Sequence, residues 1–360
     1  MKILFLIGML NFSGAENVLR AIASSLKKAG NEVYISVRVD SGEKGYNGIP
    51  IYAYEGNSIQ RIVKIRKTIK SKKIDVVVAF GFPFNLDAVA LRIFTDVKAV
   101  LCERHDPSAI KRTALQKLEK SILYPLADGY IVQTKKTKEY YLSHYTKKEN
   151  EICVIPNPVR YDKPECVADK ERRKEIVTVG RYDNMQKNHI MLINAFQQFH
   201  KDFPDYVLKI FGEGDDRKLY EQRIAELGAQ EYMMLMGFEK NPIKQIALAD
   251  IFCLSSNYEG MPNALIEAMS VGLPCVSTKC GGGAAEELIV DGENGLLIDI
   301  NDEKGLSEAF VRLASDRTIN KQIARKAYMI NDTLSLESIS KEWEVFLRDI
   351  CKKNSLSGGV

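Results

Sequence analysis

No apolar run in this chain approaches the roughly 18–20 residues that cross a bilayer as a helix, which argues against a membrane span of that kind. The opening Met1-Lys2-Ile3-Leu4-Phe5-Leu6-Ile7 has one basic residue and a short apolar stretch, so it reads as a first strand rather than a signal peptide. Histidine is scarce, at four in 360 residues, and the seven scattered cysteines contain no C-x-x-C. With no His at ligand spacing beside them, a zinc site is not expected. An odd number of cysteines in a chain of this kind reads as buried free thiols. Together these absences predict a cytoplasmic protein, with the inner face of the cell membrane as its one membrane contact.

Length and charge say more. A chain of 360 residues predicts two domains, each large enough for its own core. The net charge of +4 conceals an asymmetry: residues 1–165 hold 27 Lys and Arg against 17 Asp and Glu, while the rest hold 24 against 30. A basic half joined to an acidic one predicts a lobe that faces an anionic surface.

Strand and helix patterns alternate in both halves, which predicts doubly wound parallel sheets. In the first half the strands are read at Lys2–Ile7, Glu32–Val39, Asp75–Phe80, Val97–Cys102 and Gly129–Gln133, with an amphipathic helix at Ala15–Ala29. The first turn lacks G-x-G-x-x-G, which counts against a NAD-binding enzyme even though Asp40 stands where a ribose-binding acid would be. Seven bases, Arg61, Lys64, Arg66, Lys67, Lys70, Lys72 and Lys73, share one predicted helix with Ile62, Val63, Ile65 and Ile69. Such a helix either solvates its charges or lies on an anionic bilayer. A second basic run spans Lys111–Lys120. The polar stretch 161–175 has no period and reads as a linker, after which Ile176–Val179 opens the second series of strands.

The densest signal lies at 255–298. Ala249–Leu254 reads as a buried strand, and a helix follows from about Pro262 to Ser270, stopped by Gly272 and Pro274. Its free amides near Gly260–Asn263 make an anion site suited to phosphate. Glu259 and Glu267 are separated by seven residues within E-G-M-P-N-A-L-I-E-A-M. Read as one helix, eight residues rise about 12 Å, beyond the roughly 5–9.5 Å of a glycosidase carboxylate pair. Asp215-Asp216 reads as a helix start rather than a metal site.

This E-x7-E context resembles the retaining glycosyltransferases of family 4 (glycosyl transferases group 1). Val179-Gly180-Arg181 with Gln186-Lys187, Ser13-Gly14-Ala15-Glu16 and Ile155-Pro156-Asn157-Pro158-Val159 resemble further elements of that family. The resemblance implies an α/β protein of GT-B fold, with two Rossmann-like doubly wound domains facing a central cleft. The domains would be 1–160 on the acceptor side and 176–335 on the nucleotide-sugar side, with a helix at 336–352 returning to the first. It implies a retaining enzyme that moves a sugar from a nucleotide-diphosphate donor, UDP-linked, to a hydroxyl of a glycan or lipid-linked saccharide in surface polysaccharide synthesis, with no required cofactor or metal. Glu259 would touch the transferred sugar and Glu267 the ribose. Arg181 and Lys187 would clamp the diphosphate; Gly14, Gly260, Met261, Pro262 and Asn263 would border the donor, and Phe238 the base. His105, in Glu103-Arg104-His105-Asp106, would lie beside the reacting carbon, with Arg104 and Asp106 as alternatives for that place. The partners implied are the nucleotide sugar, the acceptor and a peripheral anionic membrane, with no nucleic acid. A sugar-nucleotide epimerase and a non-catalytic partner subunit with a degenerate site are the rival readings.

Overall fold

The computed structural model describes residues 1–10, 14–40, 42–82, 84–110, 112–146, 148–160 and 163–352. The chain divides into two compact units, Met1–Arg160 with Leu336–Val360, and Tyr161–Ser335.

In the first unit the strands are β1 (Lys2–Ile7), β2 (Glu32–Val37), β3 (Gly45–Tyr46), β4 (Ile49–Ala53), β5 (Val76–Phe80), β6 (Lys98–Cys102), β7 (Gly129–Val132) and β8 (Ile152–Val154). They lie in the order β3-β4-β2-β1-β5-β6-β7-β8, parallel except for the β3–β4 hairpin. The central strands are apolar at almost every position because a parallel sheet is covered on both faces; Val76–Phe80 is buried throughout. Between the strands run α1 (Gly14–Lys28), α2 (Ser58–Lys72), α3 (Phe84–Ile93), α4 (Ala114–Leu123) and α5 (Lys135–His144). The helix Leu336–Lys352 packs on α1 and buries Ile339, Trp343, Leu347 and Ile350. Trp343 stacks on Phe80 with ring centroids 5.7 Å apart. Ser13, the expected cap of α1, lies outside the described residues.

The second unit has β9 (Arg173–Val179), β10 (Val207–Phe211), β11 (Met233–Gly237), β12 (Ala249–Leu254), β13 (Cys275–Thr278) and β14 (Leu296–Ile298). All pairings are parallel, in the order β11-β10-β9-β12-β13-β14. Its helices are α6 (Asn184–Lys187), α7 (His189–His200), α8 (Arg217–Glu226), α9 (Pro242–Ile246), α10 (Asn263–Ser270), α11 (Ala284–Leu288), α12 (Glu303–Ser315), α13 (Arg317–Tyr328) and α14 (Ile330–Thr333). The strand order reverses between β9 and β12. In open α/β sheets ligands bind outside the carboxyl ends of the strands at such a reversal.

The segment expected to be a linker is not one. β9 begins at Arg173, and Val167 and Ala168 are buried within the second unit. Val167 N–H donates to the Val271 carbonyl at 2.9 Å, and the Arg172 guanidinium donates to the Gly272 carbonyl at 2.9 Å. Two apolar residues in a polar run have no period to reveal them. The basic helix also needs correction. Arg61 faces inward on α2, where its guanidinium pairs with Asp87 at 2.7 Å, leaving Lys64, Arg66, Lys67, Lys70, Lys72 and Lys73 exposed. No helix among the described residues is long and apolar enough to cross a membrane.

Candidate active site

Two loops at the carboxyl ends of β9 and β12 build the site. The first carries Gly180, Arg181 and Tyr182 into α6 and is held from below by the Gly212-Glu213-Gly214 turn after β10. Gly180 N–H donates to the Phe211 carbonyl and Tyr182 N–H to the Glu213 carbonyl, both at 2.9 Å. At Gly212 φ is +148°, and a Cβ there would run into the Gly180 carbonyl oxygen; one on Gly214 would meet the Tyr182 carbonyl. Only glycine allows this approach. The Tyr182 ring is fully buried and its hydroxyl donates to the Ile210 carbonyl at 2.8 Å. Asp183 caps α6 by accepting from Gln186 N–H at 3.1 Å. Asp216, one of the adjacent acids after β10, accepts from Asn184 N–H at 2.6 Å. That carboxylate holds backbone, and among the described residues no group of three His, Cys, Asp or Glu is placed to bind a metal.

The second loop, Ser255–Glu259, is tied to the first along its length. Ser255 Oγ donates to the Lys187 carbonyl at 2.8 Å, Asn257 N–H to the Gln186 carbonyl at 2.8 Å, and Asn257 Nδ2 to the Met185 carbonyl at 2.9 Å. These bonds bring Lys187 Nζ to 2.5 Å from Glu259 Oε1, with the two side chains 15% and 7% exposed. Ser256 Oγ donates to the same oxygen at 2.7 Å, and Gln186 Nε2 to the other at 3.4 Å. Glu259 N–H donates to the Gly281 carbonyl at 2.9 Å, which anchors the loop to the glycine-rich turn after β13. A carboxylate with three side-chain donors is fixed in direction. Arg181, by contrast, is 66% exposed, 3.1 Å from Gln186 Oε1 and 3.4 Å from Asp183.

Glu259 precedes α10 by four residues and is not part of it, so the 12 Å rise expected between the two acids does not apply. Gly260 and Pro262 break the backbone, and Pro262 is the N-cap with φ −78° and ψ 98°. Met261 and Pro262 are buried, Gly260 and Asn263 half-buried, and Glu267 is buried on α10 beyond its first turn. Phe238 follows β11 with its ring exposed. Gly14 and His105 belong to the first unit, at the start of α1 and in the loop after β6. There Arg104 is buried, donates to Asn157 Oδ1 at 2.6 Å and sits over the Phe80 ring at 5.0 Å. Burial lowers its guanidinium to about 10. Asp106 is buried and accepts from Ser108 Oγ at 2.6 Å. His105 alone of those three side chains is exposed.

Sequence reading missed Ser256, and it gave Gln186, Gly212 and Gly214 no role. The G-x-G turn was visible as a signal of close backbone approach, because two glycines directly after a strand are costly unless space demands them. Ser256 had no signal; its partner lies three residues on, and only the folded loop turns the two together.

Two such units, with polar loops gathered at the strand reversal, define an α/β protein of the GT-B class. Anabaena HepE, solved in complex with UDP, superposes with a TM-score of 0.84 at 19% identity over 97% of this chain and all of that one (100%). Sucrose-phosphate synthase from Thermosynechococcus elongatus gives 0.83 at 16% identity over 98% and 100%. The model of Glycosyltransferase Family 4 matches residues 12–163, and that of Glycosyl transferases group 1 matches 162–329. This chain belongs to the glycosyltransferases of the family 4 type, and it is an enzyme of that class. Among its relatives, an α-1,4-N-acetyl-D-galactosaminyltransferase of Campylobacter jejuni, named for a diphospho-undecaprenol-linked acceptor, is 25% identical over 97% of this chain and 99% of its own. An uncharacterized glycosyltransferase of Methanocaldococcus jannaschii is 26% identical over 80% of this chain and 83% of its own.

Proposed function

We propose that the protein transfers a sugar, with retention of anomeric configuration, from a UDP-sugar to a hydroxyl of a saccharide acceptor carried on a lipid, in the assembly of a surface polysaccharide. The observation that carries this reading is the Lys187–Glu259 pair at the strand reversal of the second unit, bracketed by Ser256 and Gln186. The exposed Arg181 guanidinium and the Lys187 ammonium neutralise the diphosphate as it departs. A fork and a point charge suit a group whose negative charge grows in the transition state. The backbone amides at the entry to α10, those of Gly260, Met261 and Asn263, add donors, and the side chains of Met261 and Pro262 shape the wall behind them. Glu259 directs hydroxyls of the transferred sugar, Glu267 holds the ribose hydroxyls, and the exposed Phe238 ring covers the base. Gly14 borders the donor from α1, and His105 assists at the reacting carbon.

The named acceptor of the Campylobacter relative supports a lipid-linked acceptor, and the five exposed bases of α2, with Lys73 just after it, support peripheral contact with an anionic membrane. A non-catalytic subunit would have no reason to keep a buried ion pair and its brackets, since such a pair gives little net stability. A thermal-shift panel of nucleotide sugars tests the reading, because a donor that binds only the folded state raises the midpoint. A UDP-sugar should shift it most. An equal response to every nucleotide would remove the donor assignment.

A further inference from the structure

The lysine that meets Glu259 is fixed at its root as well as at its tip. Asn188, the residue after Lys187, is buried and takes the left-handed conformation, with φ 48° and ψ 45°. It closes α6, its N–H donating to the Asn184 carbonyl at 3.0 Å, and it opens α7. An asparagine at the head of a helix ordinarily turns its side chain onto the first free amides. Asn188 makes no such bond; Asn184 Oδ1 accepts from Ile190 N–H at 3.0 Å in its stead. The Asn188 amide is directed sideways. Nδ2 has two protons to give, and it lies 3.1 Å from Asn257 Oδ1 and 3.0 Å from Asn301 Oδ1, with Met191 Sδ at 3.7 Å alongside. The loops after β9, β12 and β14 therefore converge on one side chain. Asn301, between β14 and α12, is itself left-handed at φ 64°, a conformation that asparagine tolerates better than most residues.

Asn257 is the shared member. Its Oδ1 accepts from Asn188 while its Nδ2 donates to the Met185 carbonyl at 2.9 Å, so the β12 loop is locked to the chain on both sides of Lys187. The lysine stem has its own support, since a Cβ on Gly180 would stand 3.3 Å from Lys187 Cδ and Cε. A flexible four-carbon stem delivers its charge to one place only when it is held this way.

We infer that Asn188 is a positioning residue: by clamping the loops after β12 and β14 to the turn that bears Lys187, its amide aims the Lys187 ammonium at the diphosphate of the bound donor. The diversion of a good capping side chain into this clamp is the observation that carries it. The inference rests on the reading of Lys187 as a diphosphate ligand and names the residue that holds it in place. A role confined to folding would weaken uridine and UDP alike, because both use the base and ribose contacts. Loss of aim falls on the diphosphate alone.

The test is calorimetric titration of UDP and of uridine into the full chain and its variants. Asn188→Gly keeps the left-handed backbone and removes the amide. It should weaken UDP binding at least about tenfold and leave uridine binding as it was. Lys187→Met should lose at least as much UDP affinity, and the double variant no more than Lys187→Met alone, since both changes act through one ammonium. Asn301→Gly, which removes one of the two acceptors, should give a smaller loss in the same direction. An unchanged ratio of UDP to uridine affinity in Asn188→Gly, or in Asn301→Gly should the first variant not fold, overturns the inference, as does a further loss in the double variant. The two failures are separable: if Lys187→Met leaves UDP binding intact, the diphosphate reading of Lys187 falls and takes the inference with it. If Lys187→Met loses UDP while Asn188→Gly keeps the wild-type ratio, the inference falls alone.

Discussion

Lys187 and Glu259 stand 72 residues apart in sequence and meet at 2.5 Å because Ser255 and Asn257 tie their loop to the backbone of α6 through three hydrogen bonds. The consequence is that the two proposed diphosphate ligands differ in what their removal does. Arg181→Ala removes an exposed guanidinium, so transfer should slow by on the order of 10²–10³ with the melting temperature unchanged. Lys187→Met leaves Glu259 buried with a weakened set of donors, so a similar loss of rate should come with up to about 3 kcal/mol of destabilisation. Adding Glu259→Gln should restore part of the stability and none of the rate. Steady-state kinetics with thermal melts decide it; equal stability in the two single variants would remove the structural half of this account.

A second expectation follows from Gly212. Replacing it with Ala places a methyl group against the Gly180 carbonyl, so the loop bearing Arg181 must move. A shift of this size costs rate through misplacement as well as stability. Gly212→Ala should weaken UDP binding at least about tenfold, while Gly228→Ala, with open space around its Cβ position but a φ of +63°, should cost stability alone. Calorimetric titration of UDP distinguishes the pair.

These two cases show what sequence made legible. Arg181, Lys187, Glu259 and Glu267 stand in motifs whose spacing is local, so the sequence could single them out as candidates, and the alternation that makes two doubly wound sheets could be read directly. Contacts between distant segments could not. The pattern over 259–267 looked like continuous helix because seven of its nine residues tolerate one, yet Gly260 and Pro262 place Glu259 outside it. Arg61 looked like one of seven surface bases because Asp87, its partner, lies 26 residues on. Lys120 looked like part of a basic run for the same reason: the Glu103 that buries it is 17 residues back. Lys111, the start of that run, lies outside the described residues.

The two kinds of base on α2 therefore behave differently. Arg61→Ala strands the buried Asp87 carboxylate and should destabilise the first unit by about 3–5 kcal/mol, with no specific effect on membranes. Lys64→Glu, Lys67→Glu and Lys70→Glu together should leave the melting temperature nearly unchanged. They should abolish binding to anionic vesicles, since each base near such a surface is worth about 1 kcal/mol and salt weakens it. Vesicle co-sedimentation at two salt concentrations checks both; wild-type indifference to anionic lipid at low salt ends the electrostatic part of the docking proposal.

His189, at the start of α7, is fully buried between Tyr182 and Tyr220, and burial, reinforced by the Lys187 charge, lowers its imidazole to about 3. The unfolded chain takes up a proton there below about 6.5, whereas the folded one does not until about 3. Stability should therefore fall with decreasing pH across that window, by up to about 1.4 kcal/mol per unit from this group. His189→Leu should flatten that part of the profile. Denaturant melts between pH 7 and 4 on both proteins read the difference directly; parallel profiles would show that His189 is not the group responsible.

The central claim is that Glu259 and Glu267 are sugar and ribose ligands in a retaining transferase, not an acid and a nucleophile. Proton NMR of the anomeric signal in the first-formed product, recorded before any mutarotation, tests it most directly. The account predicts the donor's own anomeric configuration in the new linkage, together with one UDP released per transfer. A product of opposite configuration would contradict it.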